Sequence, residues 1–186
     1  MRVVSGLHRG RQLKSVPGKI ARPTTDKVKE AIFQVLGPYF RQGACLDLFA
    51  GSGALGIEAL SRGMEKAIFV DKHPKAIHTI NENIRMLQLE NNVEIFKSDA
   101  FNALNGAAKR GLQFDLILLD PPYYKVNYAK LLGKVTELDL LHDDGMIFCE
   151  HDATEDMAMT DERYEVLKRK LYGETTGITI YKKKRE

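Results

Sequence analysis

Asp120-Pro121-Pro122-Tyr123 brings together a carboxylate, an aromatic face and carbonyls held by two rigid rings. Such a group suits a flat ring that carries an amino group. The carboxylate and a carbonyl can accept the two N–H hydrogens, and the phenol can lie against the ring face. The plain alternative is a strand end with a proline turn and a surface tyrosine, and four residues do not choose between them. A second group lies upstream. Gly51-x-Gly53-x-x-Gly56 has the spacing of a dinucleotide-binding turn, with Asp71 twenty residues after its first glycine. Asp71 is placed to accept from ribose hydroxyls, so a nicotinamide nucleotide is a genuine candidate ligand. Two carboxylates favour a different one. Asp47, four residues before Gly51, suits a cation and sits poorly beside a pyrophosphate. Asp99, in Lys97-Ser98-Asp99-Ala100, can accept from an adenine amino group or cap a helix that starts at Ala100, and the two roles are compatible. S-adenosylmethionine has an ammonium, a sulfonium and an adenosine, and no phosphate.

These residues need a frame. Residues 114–119 form an apolar run that reads as a buried parallel strand, ended by two prolines that cannot continue it. Residues 44–49 read as the strand before the glycine turn, which opens a helix ending near Gly63. Further strands are expected at 66–71, 93–97 and 145–150. Helical stripes lie between them: Ile77, Ile80, Ile84 and Leu87; Phe101, Leu104 and Ala108; Tyr128, Leu131, Leu132, Val135 and Leu138. Two β-like runs at 164–172 and 176–181, joined through Gly173-Glu174-Thr175, predict an antiparallel hairpin at a sheet edge. Strand-helix alternation with short connections predicts an α/β fold, a doubly wound and mainly parallel sheet with helices on both faces. In that order the first and fourth strands are neighbours where the winding reverses, so both motifs should open into one crevice.

Ahead of the sheet, Thr24-Thr25-Asp26 offers helix caps, and Val28, Ala31, Ile32, Val35 and Leu36 form an amphipathic stripe stopped by Gly37-Pro38. Residues 1–23 show no strong hydrophobic period, and a binding partner is expected to order them. The expected division is a basic extension over 1–23 and a catalytic domain over 24–186. Charge agrees with a polyanionic partner. Residues 1–30 hold eight lysines and arginines against Asp26 and Glu30, so they carry +6 while the whole chain carries +3. The run Lys182-Lys183-Lys184-Arg185 reads as a solubilising terminus. No apolar run is long enough for a membrane span, and the N-terminus lacks a secretory core. Cys45 and Cys149 read as buried apolar residues, and the histidines and cysteines lack metal-ligand spacing.

Taken together, Asp47-Leu48-Phe49-Ala50-Gly51-Ser52-Gly53, Asp71, Asp99 and Asp120-Pro121-Pro122-Tyr123 resemble the class I, Rossmann-like S-adenosylmethionine methyltransferases that act on amino groups of bases. The segment Arg22-Pro23-Thr24-Thr25-Asp26-Lys27-Val28-Lys29-Glu30-Ala31, with Arg2-Val3-Val4-Ser5-Gly6 and Arg9-Gly10-Arg11, is similar to the bacterial RsmD family, which methylates N2 of a guanine in 16S ribosomal RNA. The resemblance runs from about Arg2 to the final strand and implies a seven-stranded sheet. It implies that Asp47, Phe49, Ala50, Gly51, Ser52 and Gly53 line the methionine part of the cofactor. Asp71 and Lys72 would meet the ribose, and Asp99 and Ala100 the adenine. Asp120, Pro121, Pro122 and Tyr123 would be the catalytic group, with Arg2, Arg9, Arg11 and Arg22 on RNA. It further implies 16S rRNA or a small-subunit precursor as partner. Cysteine usage and the missing ligand spacing lead us to expect a cytoplasmic protein without a metal, and a monomer is expected. The alternatives are a DNA adenine-N6 or cytosine-N4 methyltransferase, a non-catalytic cofactor-binding RNA-assembly factor, and a nicotinamide dehydrogenase.

Overall fold

The computed structural model describes residues 1–18, 24–123 and 125–186. Its strands are β1 (Ala44–Asp47), β2 (Lys66–Asp71), β3 (Val93–Lys97), β4 (Phe114–Leu119), β5 (Leu141–Asp152), β6 (Tyr164–Tyr172) and β7 (Thr176–Lys183). Its helices are α1 (Asp26–Leu36), α2 (Ala54–Ser61), α3 (Pro74–Met86), α4 (Ala100–Lys109) and α5 (Tyr128–Glu137). The strands form one seven-stranded sheet in the order β3-β2-β1-β4-β5-β7-β6. The first five run parallel, and β7 pairs antiparallel with both β5 and β6. The α/β expectation and the antiparallel edge hairpin therefore hold.

The pleat divides the core between two faces. Phe69, Leu116, Leu118 and Phe148 pack with Phe33 and Leu36 of α1, Ile57 of α2 and Ile80 of α3. Val70, Ile117, Leu119 and Cys149 face Leu104 of α4 and Leu131 and Val135 of α5. Each fully buried side chain of this size contributes roughly 1.5–3 kcal/mol. Both cysteines are buried, and burial raises their thiol pKa well above the usual value, as small apolar residues require.

Some boundaries differ from the expectation. β5 starts at Leu141, four residues early, and runs to Asp152 because β7 pairs with it as far as Asp152–Thr176. The inward face of α1 consists of Lys29, Ile32, Phe33 and Leu36, and Val28 and Val35 are only half-buried. Lys29 turns inward because Glu58 of α2 lies beneath it.

The N-terminal segment is ordered by the protein itself, in contrast to the expectation. Arg2 and Gln12 form an antiparallel bridge, supported by hydrogen bonds from Val3 N to Arg11 O (3.0 Å) and from Leu13 N to Met1 O (2.9 Å). Val3 and Leu13 are buried in the core. The hairpin is also anchored by charge. Glu58, fully buried, accepts from Val4 N at 2.9 Å and from Ser5 N at 3.0 Å. It pairs with Arg62 at 2.9 Å and with Lys29 at 3.5 Å, and Lys29 Nζ donates to Arg2 O at 2.8 Å. Two cations and two backbone amides thus satisfy a carboxylate that burial alone would penalise heavily.

The C-terminal basic run also differs from a solvated tail. Lys183 lies in β7, is buried, and donates to Asp139 (2.8 Å) and to Leu141 O (3.1 Å). Lys182 and Arg185 pair with Asp144. No helix among the described residues is long and apolar enough to cross a membrane.

Candidate active site

β1 and β4 lie side by side in parallel, with Asp47 opposite Leu118. The glycine loop leaves the C-terminal end of β1, and Asp120 leaves the C-terminal end of β4. Both motifs therefore meet at one sheet edge, as the predicted strand order requires. Two open, polar depressions lie at the opposite edge, around Gln113, Asp139 and His142 and around Gln42, Glu65 and Asp115, and include none of these residues.

The loop is shaped by backbone demands. Gly51 and Gly53 have φ of 57° and 85°, a region that side chains disfavour. Gly51 N donates to Asp71 at 2.9 Å and Gly53 N to Ala50 O at 2.7 Å. A Cβ at Gly51 would meet nothing within 4 Å, so this side of the loop faces open space. Gly56 has a different role. A Cβ there would lie 2.4 Å from the Phe69 ring, so α2 can approach the sheet only with glycine at this position.

Asp47 is the electrostatic centre of the loop. It is 2 % exposed and accepts from Gly56 N at 3.0 Å. Its pKa is pushed up to about 7, chiefly by burial, with the Gly56 hydrogen bond opposing the shift and the charge of Asp71 adding to it. A buried carboxylate raised in this way gains from a neighbouring positive charge, so the residues present fit a cationic ligand. Asp71 is buried and already engaged. Its oxygens accept from Gly51 N and His73 N, both at 2.9 Å, which leaves one lone pair on each oxygen for a ligand hydroxyl. Lys72 beside it is exposed. Asp99 caps α4 by accepting from Asn102 N at 2.9 Å, and Ala100 starts that helix and is buried. Phe49 and Ser52 are half-buried and Ala50 is buried.

On the β4 side, Pro121 is buried and Pro122 exposed, and Lys125 N donates to Pro122 O at 3.4 Å to close the turn. Tyr123 donates its hydroxyl to Thr176 at 3.2 Å, which fixes one end of the ring at the start of β7. Burial raises the pKa of its phenol, Thr176 opposes this, and the charges of Glu150, Asp120 and Asp152 add to it. Tyr128 clamps two strand ends, donating to Leu119 O (3.1 Å) and Glu150 O (2.6 Å).

Of the basic residues, Arg2 pairs with Asp26 at 2.7 Å and Arg11 donates to Met86 O at 3.2 Å. Arg9 is exposed on the hairpin turn. Leu7 N on that turn donates to Ser61 O at the far end of α2, so the turn stands about 12 Å from the glycine loop, the length of an eight-residue helix. Arg22 lies outside the described residues.

Sequence reading missed Asn83. Fully buried on α3, it donates to Ser52 O (2.9 Å) and Lys14 O (3.0 Å) and accepts from Lys14 N (2.8 Å). It thereby ties the glycine loop to the N-terminal segment. The available signal was a polar residue in the Ile80–Ile84–Leu87 stripe. Glu58 gave no sign of anchoring the hairpin, because the amides it accepts from, Val4 and Ser5, are 54 and 53 positions away.

A family model described as "Conserved hypothetical protein 95" matches residues 1–182. The protein YlbH of Bacillus subtilis (strain 168) is 49% identical over 99% of this chain and 100% of its own length. "Ribosomal RNA small subunit methyltransferase D" of Haemophilus influenzae is 33% identical over 98% of this chain and 92% of its own. The solved structure of yhhF from Escherichia coli superposes with a TM-score of 0.85 at 29% identity, covering 100% of this chain and 99% of that one.

Proposed function

This chain belongs to the conserved hypothetical protein 95 family, the RsmD family of ribosomal RNA methyltransferases, and on that footing we propose that it transfers a methyl group from S-adenosylmethionine to N2 of a guanine in 16S rRNA of the small ribosomal subunit. It acts in the cytoplasm as a monomer. The observation that carries this reading is the meeting of two loops at one sheet edge. A buried, cation-seeking Asp47 leads into the glycine loop on β1, and Asp120-Pro121-Pro122-Tyr123 follows the neighbouring β4.

The cofactor supplies a methyl on a sulfonium that is already a good leaving group. Asp47 balances its positive charge, and Phe49, Ala50, Gly51, Ser52 and Gly53 bound the methionine end. Asp71 and Lys72 face the ribose. Asp99 and Ala100 meet the adenine, and capping α4 leaves Asp99 lone pairs for the amino group.

The remaining work falls on the β4 turn. A guanine amino group is a weak nucleophile because its lone pair is delocalised into the ring. Asp120 and the Pro121 carbonyl accept its two N–H hydrogens, which favours a pyramidal nitrogen with an available lone pair. Positioning of this kind supplies on the order of several kcal/mol of barrier reduction. The Asp120 charge stabilises the positive charge that develops on nitrogen, and Asp120 or solvent takes the surplus proton. Pro122 keeps the turn rigid. Tyr123, pinned by Thr176, stacks on the unstacked base, worth ~1–3 kcal/mol.

Residues 1–23 form the RNA-binding extension of the domain over 24–186. Arg9 and Arg11 meet phosphates flanking the target, given their distance from the loop, and the same reading assigns Arg2 and Arg22 to RNA. Methylated-nucleoside analysis of small-subunit RNA from cells with and without the protein tests the reading, and loss of one N2-methylguanosine is expected. Asp120→Ala should abolish transfer while S-adenosylmethionine binding persists. Transfer at the wild-type rate would remove Asp120 from the mechanism.

A further inference from the structure

The amine grip by itself accepts adenine, cytosine or guanine, because all three carry an exocyclic amino group. Something beside Asp120 must distinguish them. Leu118 of β4 pairs with Phe148 of β5, and Leu119 with Cys149. One step further, Asp120 comes level with Glu150. Leu118 and Phe148 share the face packed by α1, α2 and α3. The alternation of side chains puts Asp120 and Glu150 on that same face, two residues beyond. Adjacent strands are about 4.8 Å apart, so the two residues stand side by side at the mouth of the site. The pairing of Glu150 with Ile178 holds it from the other side.

Glu150 has the environment of a ligand-facing group. It is half-buried, and its backbone carbonyl is taken by Tyr128. Its carboxylate enters no hydrogen bond or ion pair among the described residues, and its charge is felt at the Tyr123 phenol together with that of Asp120. A half-buried carboxylate is costly to leave without a donor.

We propose that Glu150 selects guanine by accepting its N1–H while Asp120 and the Pro121 carbonyl hold N2. Guanine is the base whose Watson–Crick edge sets a ring N–H beside an exocyclic amine. Adenine and cytosine present a ring-nitrogen lone pair at that place, which a carboxylate repels. The inference rests on the guanine-N2 reading and adds the group that makes it specific. Glu150 touches the base without taking part in the transfer, so it determines specificity.

The test uses two RNAs that span the mapped target, one with guanine and one with 2-aminopurine at that position. 2-Aminopurine keeps the amine, replaces N1–H with a lone pair and lacks O6, so the change of ratio in the variant isolates the N1 contact. Wild-type protein should prefer guanine in kcat/KM by at least about 100-fold, as expected of a site built around a substrate N–H. In Glu150→Gln the amide can turn its N–H toward the lone pair, so the preference should fall to within about tenfold. An unchanged ratio in Glu150→Gln overturns the proposal. If that variant does not fold, judged by S-adenosylmethionine titration, Glu150→Asp takes its place: a wild-type ratio near one, or a ratio unchanged in Glu150→Asp, overturns the proposal. Absence of any methyl transfer to guanine by wild type would instead defeat the underlying function.

Discussion

Asp47→Asn separates the stability of the protein from its affinity for a cation. The carboxyl of Asp47 is held at about 7 against an ordinary value of 3.8, chiefly because it is buried. A raised folded-state pKa means that its contribution to stability is fully present below about pH 4 and is lost as pH rises through about 7. The shift is about three units, and at 1.36 kcal/mol per unit it costs the ligand-free protein about 4 kcal/mol by about pH 8. Asparagine keeps an oxygen that can accept from Gly56 N and carries no charge. It introduces an N–H2 without an assigned partner, a penalty of about 1–3 kcal/mol. Ligand-free Asp47→Asn should therefore exceed wild type by about 1–3 kcal/mol at about pH 8 and stand about level with it at about pH 5.5, where the wild-type carboxyl has lost about 2 kcal/mol. The stability difference should change by about 2 kcal/mol between those conditions. Urea unfolding at both pH values measures it. S-adenosylmethionine affinity should behave oppositely. Wild-type binding strengthens as pH rises toward about 7, because the cation binds the ionised carboxylate, and the variant binds weakly with no such slope. An equal stability difference at both pH values would show that Asp47 is already ionised and would refute the account of a cation-seeking carboxylate.

Glu58→Ala should cost about 3–5 kcal/mol, because it leaves Lys29 buried without its anion and Arg62 with Glu30 alone. In the same variant the amides of Val4 and Ser5 should lose hydrogen-exchange protection before the sheet does. Gly56→Ala forces a methyl to 2.4 Å from the Phe69 ring and should destabilise by about 1–3 kcal/mol in thermal unfolding, with α2 displaced from the sheet. Replacing Arg9 and Arg11 with alanine should weaken RNA binding and flatten the slope of log affinity against log salt by about 0.7 per lost phosphate contact, with S-adenosylmethionine binding unchanged.

The sequence by itself determined whatever depends on local pattern. Strand-helix alternation, the glycine turn and the two prolines after β4 are contiguous signals, and they sufficed for the parallel order and for the meeting of Asp47 and Asp120 at one edge. The resemblance carried by Asp120–Tyr123 and the N-terminal segments supplied the family. Tertiary structure decided what depends on residues far apart. Residues 1–16 have too few apolar side chains to reveal a fixed position, and they are held instead by Glu58, Ser61 and Asn83, each more than 50 positions away. Lys29 reads as a surface charge and is buried because its anion lies on another helix. Asp99 offered two compatible roles, and its contact with Asn102 established that of the cap. Glu150 has no motif, and only the register of β4 against β5 sets it beside Asp120. Local pattern specifies which backbone a segment adopts. Pairing of charges and hydrogen bonds across the chain depends on where those segments dock, and that information exists only once the sheet has formed.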